Sequence, residues 1–425
     1  MQEDFLHYVW NFKKFDFRRA KTVDHQPVEI VNTGTPNFNS GPDFFNAKIR
    51  IGEQLWAGNV EIHLRSSHWY SHKHENDPNY DNVVLHVVWE NDMEIYRNDN
   101  SPIPTIELKQ LTSEETLQSY RDLLLAPNAK WINCEKEFGA FDDFEMENWL
   151  ERMYLEKLEQ KSEVIARLLK DSENNWEQVL FLFLARSFGL KVNGGAFLSM
   201  AESLDFKIVQ KCSTSSLLME ALLFGQSGLL DKNNEDGYFQ ELRKEYHYLK
   251  RKFGVINAGV ERPKYFRLRP ENFPNIRLSQ LAGLYSAIPH LFSKIIGMET
   301  RTEFQELLRI ETSVYWKNHY NFGKEHPTRV KKLSEDFIDL LIINSIIPLK
   351  FYYNKTIGAG DPQQILKLIQ EIKAEKNSVI EKYNLIRPHT AVTALQSQAL
   401  LHLKTGYCDK NYCLKCNLGA KLIRG

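Results

Sequence analysis

The first part of the chain alternates between one helical and several strand-like hydrophobic patterns. Residues 3–15 place apolar side chains at the spacing of an amphipathic helix, with acidic residues at its start. Residues 44–51 and 55–64 form two strand-like runs around a short turn, which is typical of a hairpin. After a connection with weak helical signal, residues 82–90 are apolar almost throughout, which favours a central strand. The pattern predicts a small α/β domain.

From about residue 114 onward the hydrophobic period changes to that of helices. Residues 141–169 have the pattern of a long charged helix, and residues 176–188 that of a shorter, more apolar one. Further helical segments follow, with no repeat of fixed length. We therefore predict an α+β protein. A small α/β domain over residues 1–125 precedes an all-helical region over residues 126–425, which ends in a cysteine knuckle.

Composition and charge exclude several classes of protein. The 425 residues carry a formal net charge of −1 and are 42% hydrophobic and 26% charged, an ordinary globular balance. Bulk charge therefore predicts neither nucleic-acid nor membrane binding, and either partner would need a local patch. No stretch approaches the roughly 18 uninterrupted apolar residues of a membrane span, and no secretory leader pattern opens the chain. Five unevenly placed cysteines favour a reducing compartment. We expect a cytoplasmic protein with no membrane partner.

Three polar residues stand out on the predicted hairpin. Asp43 directly precedes the first strand, and Glu61 and His63 lie two residues apart on the second, so their side chains share a face. If the strands pair, all three residues meet at one end of the sheet. Two carboxylates with a third polar group suit a hard divalent cation, so we predict Mg²⁺ or Mn²⁺ at Asp43 and Glu61.

This arrangement resembles the PD-(D/E)XK nuclease superfamily. There a Pro-Asp pair opens one strand and an (Asp/Glu)-x-Lys triplet follows on the next. Here Pro42-Asp43 matches the pair, and Glu61-Ile62-His63 matches the triplet with His63 in place of Lys. The resemblance implies a metal-dependent nuclease acting on DNA or RNA, with catalytic Asp43, Glu61 and His63, in which His63 orients or deprotonates the water. The alternative is a non-catalytic nucleic-acid-binding or scaffold protein with a degenerate nuclease fold and a structural Zn²⁺ site.

The whole chain also resembles an uncharacterised bacterial family of unknown function. This resemblance runs from Phe5 to Cys416, and the motifs that carry it include Gly41-Pro42-Asp43-Phe44 and Gly58-Asn59-Val60-Glu61-Ile62-His63. It implies a bacterial cytosolic protein and supplies no activity.

Histidines are concentrated in the first quarter of the chain, which holds seven of the thirteen. Because neutral imidazole is a common metal ligand, a third interpretation is a different metal hydrolase that uses this group. Its candidate residues are His68, His72, His74 and Asp81. No recognised ligand spacing such as His-Glu-x-x-His supports it. His86 lies inside the apolar strand and is interpreted as a core histidine.

The stretch from residue 241 to residue 277 is the most basic part of the chain. It holds ten Lys or Arg and four Glu, with aromatic residues between them. This composition suits a phosphate backbone with stackable bases and makes DNA or RNA a candidate partner. The candidate contacts are Lys250, Arg251, Lys252, Arg267, Arg269 and Arg277. The competing interpretation is a solvated helix over residues 240–253, followed by a connector whose aromatic residues belong to the core.

The chain ends in a short knuckle of three cysteines, Cys408-x4-Cys413-x2-Cys416. The two-residue gap between Cys413 and Cys416 permits both thiolates to bind one metal ion. Three thiolates need a fourth ligand, for which Cys134 is the first candidate and His402 the second. Structural Zn²⁺ and no metal are two alternatives. A [4Fe–4S] cluster is the third, because the pattern is similar to that of nucleases with one distant cysteine and three near the C-terminus.

Overall fold

The computed structural model describes residues 1–37, 40–124, 130–358 and 362–423. Within them the protein is α+β, with a sheet near the N-terminus and a larger helical region, as predicted. It divides into two compact units. The first comprises Met1–Trp149, Leu385–Pro388 and Leu401–Gly425, and the second comprises Leu150–Asn384 and His389–Leu400. The predicted boundary between residues 125 and 126 lies outside the described residues.

The N-terminal segment forms the predicted amphipathic helix, α1 (Glu3–Asn11). Its apolar residues are buried, and its two acidic residues lie in the first turn, where the helix dipole favours negative charge. The helix ends earlier than its hydrophobic pattern suggests, because Lys13 takes a left-handed φ of +50°. The hydroxyl of Tyr8 donates to the backbone oxygen of Ala420 at 2.7 Å. The C-terminal end of the chain therefore packs against α1 within the first unit.

A six-stranded mixed sheet is the centre of the first unit. Its strands are β1 (Val28–Asn32), β2 (Thr35–Pro36), β3 (Phe44–Ile51), β4 (Gln54–Arg65), β5 (Val83–Glu90) and β6 (Thr105–Glu107). The order is β1-β3-β4-β5-β6, with β2 beside β3. β3 and β4 form the predicted antiparallel hairpin, whereas β4–β5 and β5–β6 are parallel. β5 lies between two other strands and is buried over most of its length, which confirms its predicted central position.

The register of the hairpin brings the start of β3 opposite the polar part of β4. Phe44 pairs with Val60, so Asp43 is level with Glu61. Residues 60–63 are all buried, because both faces of the sheet are covered at this point. The predicted polar residues of β4 therefore lie inside the protein and not on an open sheet face.

The crossover between the parallel strands β4 and β5 has little regular structure, in agreement with its weak helical signal. It contains the four-residue helix α2 (His68–Ser71) and two 3₁₀ turns, at residues 74–76 and 78–80. Trp69 is buried and anchors it, with its ring centroid 5.8 Å from that of His86 and 5.9 Å from that of Tyr80. This anchor holds the histidine-rich crossover against the sheet.

The remaining elements are mostly helical. They are α3 (Glu114–Leu124), α4 (Asp143–Asp171), α5 (Trp176–Phe188), α6 (Leu190–Glu202), α7 (Phe206–Cys212), α8 (Ser216–Gln226), α9 (Gly237–Phe253), α10 (Pro274–Ala287), α11 (Leu291–Ile296), α12 (Arg301–Leu307), β7 (His319–Asn321), β8 (Lys324–Glu325), α13 (Glu335–Leu341), the π-helical turn Ile342–Ile346, α14 (Ile347–Ile357), α15 (Pro362–Gln370), α16 (Ser378–Ile386), α17 (Ala394–Gly406) and α18 (Asn417–Lys421). The helices predicted at residues 141–169 and 176–188 correspond to α4 and α5. None of the helices in the described part of the chain is long and apolar enough to cross a bilayer.

The buried centre of the second unit includes α8 and α10, and it contains the carboxylate of Glu220. Glu220 of α8 is fully buried and accepts hydrogen bonds from the hydroxyl of Ser279, the indole nitrogen of Trp316 and the hydroxyl of Tyr238. These donors satisfy the polar group that burial would otherwise penalise. We therefore assign Glu220 a structural role.

Candidate metal centre

Asp43 and Glu61 are fixed by the backbone of each other's strand. The amide of Asp43 donates to Oε2 of Glu61 at 3.1 Å, and the amide of Ile62 donates to Oδ2 of Asp43 at 2.9 Å. His7 of α1 approaches from the side, with Nε2 3.3 Å from Oδ2 of Asp43. The structure thus brings the two carboxylates together, while one oxygen of Asp43 is already engaged by protein groups.

His63 lies at the centre of a cluster of imidazole rings. Its Nδ1 lies 2.9 Å from Nε2 of His86, and its Nε2 lies 3.1 Å from Nδ1 of His72. The ring of His74 stacks on that of His63 with a centroid separation of 5.3 Å. Because His86 engages Nδ1 of His63, the opposite nitrogen of that ring faces His72.

Three of these rings are placed to bind one metal ion. His63, His72 and His74 each offer a nitrogen, and the three atoms lie within 4.8 Å of one another. Oε1 of Glu61 borders the group, 3.5 Å from Nε2 of His63 and 3.4 Å from Nε2 of His74. Imidazoles suit Zn²⁺ or Fe²⁺ better than Mg²⁺, which prefers oxygen ligands. The donor set therefore differs in chemistry from the hard-cation site predicted at Asp43 and Glu61.

Burial lowers the pKa of three imidazoles in this cluster. It lowers the pKa of His63 far below the usual range, and the neighbouring ring of His86 lowers that pKa further. Burial also lowers the pKa of the fully buried His86 to about 3. The pKa of His74 is lowered by burial, although Asp43 opposes the change. Because a neutral imidazole has a free lone pair, the lowered pKa of His63 and of His74 favours the form of these rings that binds metal.

Burial shifts the pKa of the Glu61 carboxyl in the opposite direction. Burial, followed by the negative charge of Asp43, raises the pKa of Glu61 to about 9. A nearby divalent cation would favour the ionised carboxylate and so counteract burial. The pKa of His7 is raised, because its hydrogen bond to Asp43 and the charge of Asp43 outweigh the lowering by burial. His7 and Asp43 therefore contact each other directly beside the cluster, with Nε2 3.3 Å from Oδ2.

The cluster includes residues that the sequence pattern does not assign to a site. His7 has no predicted role, although it lies one helical turn after Glu3. His86 is buried, as expected of a core histidine, but it also contacts His63. His68 lies at the edge, with Nδ1 3.7 Å from Oε1 of Glu3. Among the predicted residues, Asp81 is exposed and outside the three-histidine group.

The comparison with known proteins gives a family but no activity. Residues 3–378 match a family described as "Protein of unknown function (DUF2851)". The chain belongs to this family. The matched region includes all residues of the metal centre and ends before the C-terminal cysteines. No curated protein and no solved structure matches the chain. The chemistry of this family member must therefore be inferred from its own geometry.

Five of the six predicted nucleic-acid contacts are exposed side chains of the second unit. They are Lys250, Arg251 and Lys252 near the end of α9 and Arg267 and Arg269 in the loop that follows. Two aromatic residues of this surface, Tyr248 and Phe266, are 47% and 76% exposed, whereas Tyr246 is buried. Lys252 lies over the ring of Tyr248, and the guanidinium of Arg267 lies over that of Phe266. The stretch therefore contains both exposed and buried aromatic residues.

Arg277 differs from the other five basic residues, because it belongs to the interior. It is 8% exposed, and its guanidinium donates to the side chains of Gln280 and Asn272 at 2.9 and 2.6 Å. The same group lies 3.7 Å from the ring centroid of Phe337. Arg277, a candidate nucleic-acid contact in the sequence, therefore lies in the interior, and these contacts indicate a structural role.

Proposed function

We propose that the protein is a metal-dependent hydrolase of phosphodiester bonds in DNA or RNA, with the ion bound by His63, His72 and His74. The observation that carries the proposal is the convergence of three imidazole nitrogens within 4.8 Å beside the carboxylate of Glu61. Three protein ligands leave a coordination position open for water or substrate, which is typical of catalytic zinc sites rather than structural ones.

The surrounding residues have separate tasks in this proposal. A bound metal ion supplies a Lewis acid and lowers the pKa of its water. Glu61 borders the ligands and is placed to accept the proton of that water. The amide of Asp43 holds Glu61 in this position. His63 then acts as a metal ligand and does not replace the Lys of the nuclease pattern.

Two features support a nucleic acid as the substrate. The first is the resemblance to the PD-(D/E)XK nucleases, with Pro42-Asp43 directly before β3 and Glu61 on the adjacent β4. The crossover after β4 departs from that pattern, because its helix has only four residues. The second is the exposed basic and aromatic surface of the second unit, which suits a phosphate backbone with stackable bases.

A cleavage assay on plasmid, single-stranded DNA and RNA tests this function, with Zn²⁺, Mn²⁺ or Mg²⁺ added. We expect cleavage with Zn²⁺ or Mn²⁺, and a loss of about 100-fold or more in Glu61→Gln, since it removes the proton acceptor. His72→Asn should also abolish cleavage. The control is His25→Asn, because His25 is exposed and its φ of +62° is one that Asn adopts readily. Cleavage that survives both site variants would overturn the assignment.

The second candidate function is nucleic-acid binding without catalysis. The exposed basic and aromatic residues of the second unit favour it independently of the metal centre. In that case the protein should bind single strands with a steep dependence on salt and show no turnover with any of the three ions.

A further inference from the structure

Four cysteines that are distant in sequence are neighbours within the first unit. Cys134 precedes α4, whereas Cys408, Cys413 and Cys416 lie near the C-terminus. The side-chain amide of Asn133, directly before Cys134, donates to Oδ1 of Asn411 at 3.1 Å and to Sγ of Cys413 at 3.3 Å. This amide therefore connects the two segments at the point where their cysteines lie.

The cysteine environment is buried and provides hydrogen bonds to sulfur. Cys134, Cys413 and Cys416 are each at most 9% exposed, and Cys408 is half-buried. None of the five cysteines of the chain, all within the described ranges, forms a disulfide. The side-chain amide of Asn133 donates to one of these sulfurs, Sγ of Cys413.

The backbone is tightly folded around these sulfurs. A Cβ atom on Gly419 would lie 2.4 Å from the backbone oxygen of Cys413, so only glycine permits this close approach. The backbone amide of Cys416 donates to the backbone oxygen of Cys413 at 3.2 Å, so these two cysteines share one tight turn. Because the side chain of Asn133 contacts Sγ of Cys413, the segment that contains Cys134 lies beside that turn.

The sulfurs are not gathered as closely as a single tetrahedral ion would hold them. A tetrahedral zinc site with Zn–S bonds of about 2.3 Å holds its sulfurs about 3.8 Å apart. Among the described residues, no three of these cysteine sulfurs lie within 4.8 Å of one another. A [4Fe–4S] cluster takes each cysteine on a different iron atom and therefore holds the thiolates farther apart than a single ion does.

We propose that Cys134, Cys408, Cys413 and Cys416 bind a [4Fe–4S] cluster. The cluster ties the C-terminal segment to the segment that precedes α4, and so it stabilises the first unit. Its ligands are separate from the histidine centre, and it does not depend on the proposed hydrolase activity. The three C-terminal ligands also lie outside the matched family region, which ends at residue 378.

Analysis of the intact protein, purified without oxygen, is the primary test. We expect about four iron atoms and four acid-labile sulfides per chain, with the broad visible absorption of an iron–sulfur cluster. Acid-labile sulfide is decisive, because iron bound at the histidines brings none. One zinc ion without sulfide, or no metal at the cysteines after reconstitution with iron and sulfide, would overturn the proposal.

Two sets of variants assign the ligands. Cys134→Ser and Cys413→Ser should lose the sulfide and the visible absorption. The control is Cys212→Ser, which alters a buried cysteine of α7 in the second unit and should keep the full cluster content. His72→Asn should also keep the sulfide, which separates failure of this proposal from failure of the proposed function. Full sulfide in Cys134→Ser would exclude that residue as a ligand and contradict the four-cysteine assignment.

Discussion

Nδ1 of His63 lies 2.9 Å from Nε2 of His86, which is completely buried. The contact arises because Glu61 of β4 is directly level with His86 of β5 in the parallel pair. Side chains alternate along a strand, so Glu61, His63 and His86 share one face of the sheet. His86 therefore fixes which nitrogen of His63 is left for a metal ion.

Removal of this positioning interaction should weaken metal binding without removing a ligand. We expect His86→Ala to lower the affinity for Zn²⁺ by about 10–100-fold, the usual cost of losing the partner of a metal-ligating histidine. His86→Gln retains a polar side chain near His63 and should recover part of the affinity. Affinity is measured by competition with a chromophoric chelator, and thermal unfolding of the metal-free protein is measured in parallel. Equal affinity in His86→Ala and the unaltered protein would contradict the positioning role.

The three ligand histidines should control the binding of one ion. His72→Asn and His74→Asn should each reduce the Zn²⁺ bound at equilibrium from about one ion per chain to a small fraction, because two imidazoles hold an ion poorly. His25→Asn makes the same chemical change at an exposed position and should bind as before. The measurement is calorimetric titration. Acid-labile sulfide is measured in the same samples, so that metal bound at the cysteines is not counted as metal bound at the histidines. Unchanged stoichiometry in both ligand variants would refute the site.

The basic and aromatic surface should bind single strands in a salt-dependent manner. The double variant Arg267→Ala/Arg269→Ala should reduce the slope of log K against log salt by about 1.4, or about 0.7 for each phosphate that is no longer neutralised. Phe266→Ala should cost about 1–3 kcal/mol if a base stacks on this ring. Lys170→Ala removes an exposed charge from α4 and serves as the control. Fluorescence anisotropy with a labelled oligonucleotide gives both quantities, and an unaltered slope would show that neither arginine binds a phosphate.

Two partly buried lysines of α4 should make stability depend on pH in the alkaline range. Burial lowers the pKa of Lys157 and of Lys161 to about 8, and Lys157 donates to Oε1 of Gln398 at 2.6 Å. Between about pH 8 and pH 10.5 the unfolded chain retains protons that the folded protein has released, so the free energy of unfolding should rise with pH.

Substitution of one lysine tests this expectation. Lys161→Met should remove part of the rise, on the order of 3 kcal/mol across the window. Urea unfolding at pH 7.5 and pH 10 measures it, and the exposed Lys170→Met on the same helix is the control. A rise of the same size in Lys161→Met and in the unaltered protein would show that this lysine is charged in the fold.

Much of the local structure follows from hydrophobic periodicity. The helix α1, the β3–β4 hairpin, the central β5 and the helices α4 and α5 all lie where the pattern predicts them. The pattern succeeds because each of these elements buries one stripe or face against a core. The order of apolar and polar residues along the element therefore shows its period. The approach of Asp43 to Glu61 also follows from pattern, since a tight hairpin leaves few possible registers.

The composition of the metal centre depended on tertiary structure. His7 lies on α1 and His86 lies on β5. His72 and His74 lie in a crossover with almost no regular structure. Hydrophobic periodicity identifies a buried face but does not identify the element that covers it. The same limit explains Arg277, whose burial depends on its interactions with Asn272, Gln280 and Phe337.

The sequence by itself determined the α+β class, the main strands and helices, and the residue types available for metal chemistry. Only the tertiary structure decided that imidazoles rather than carboxylates dominate the candidate centre, and that Cys134 is a neighbour of the C-terminal cysteines. The physical reason is that ligand sets form across elements, whereas sequence periodicity reports the burial of one element at a time.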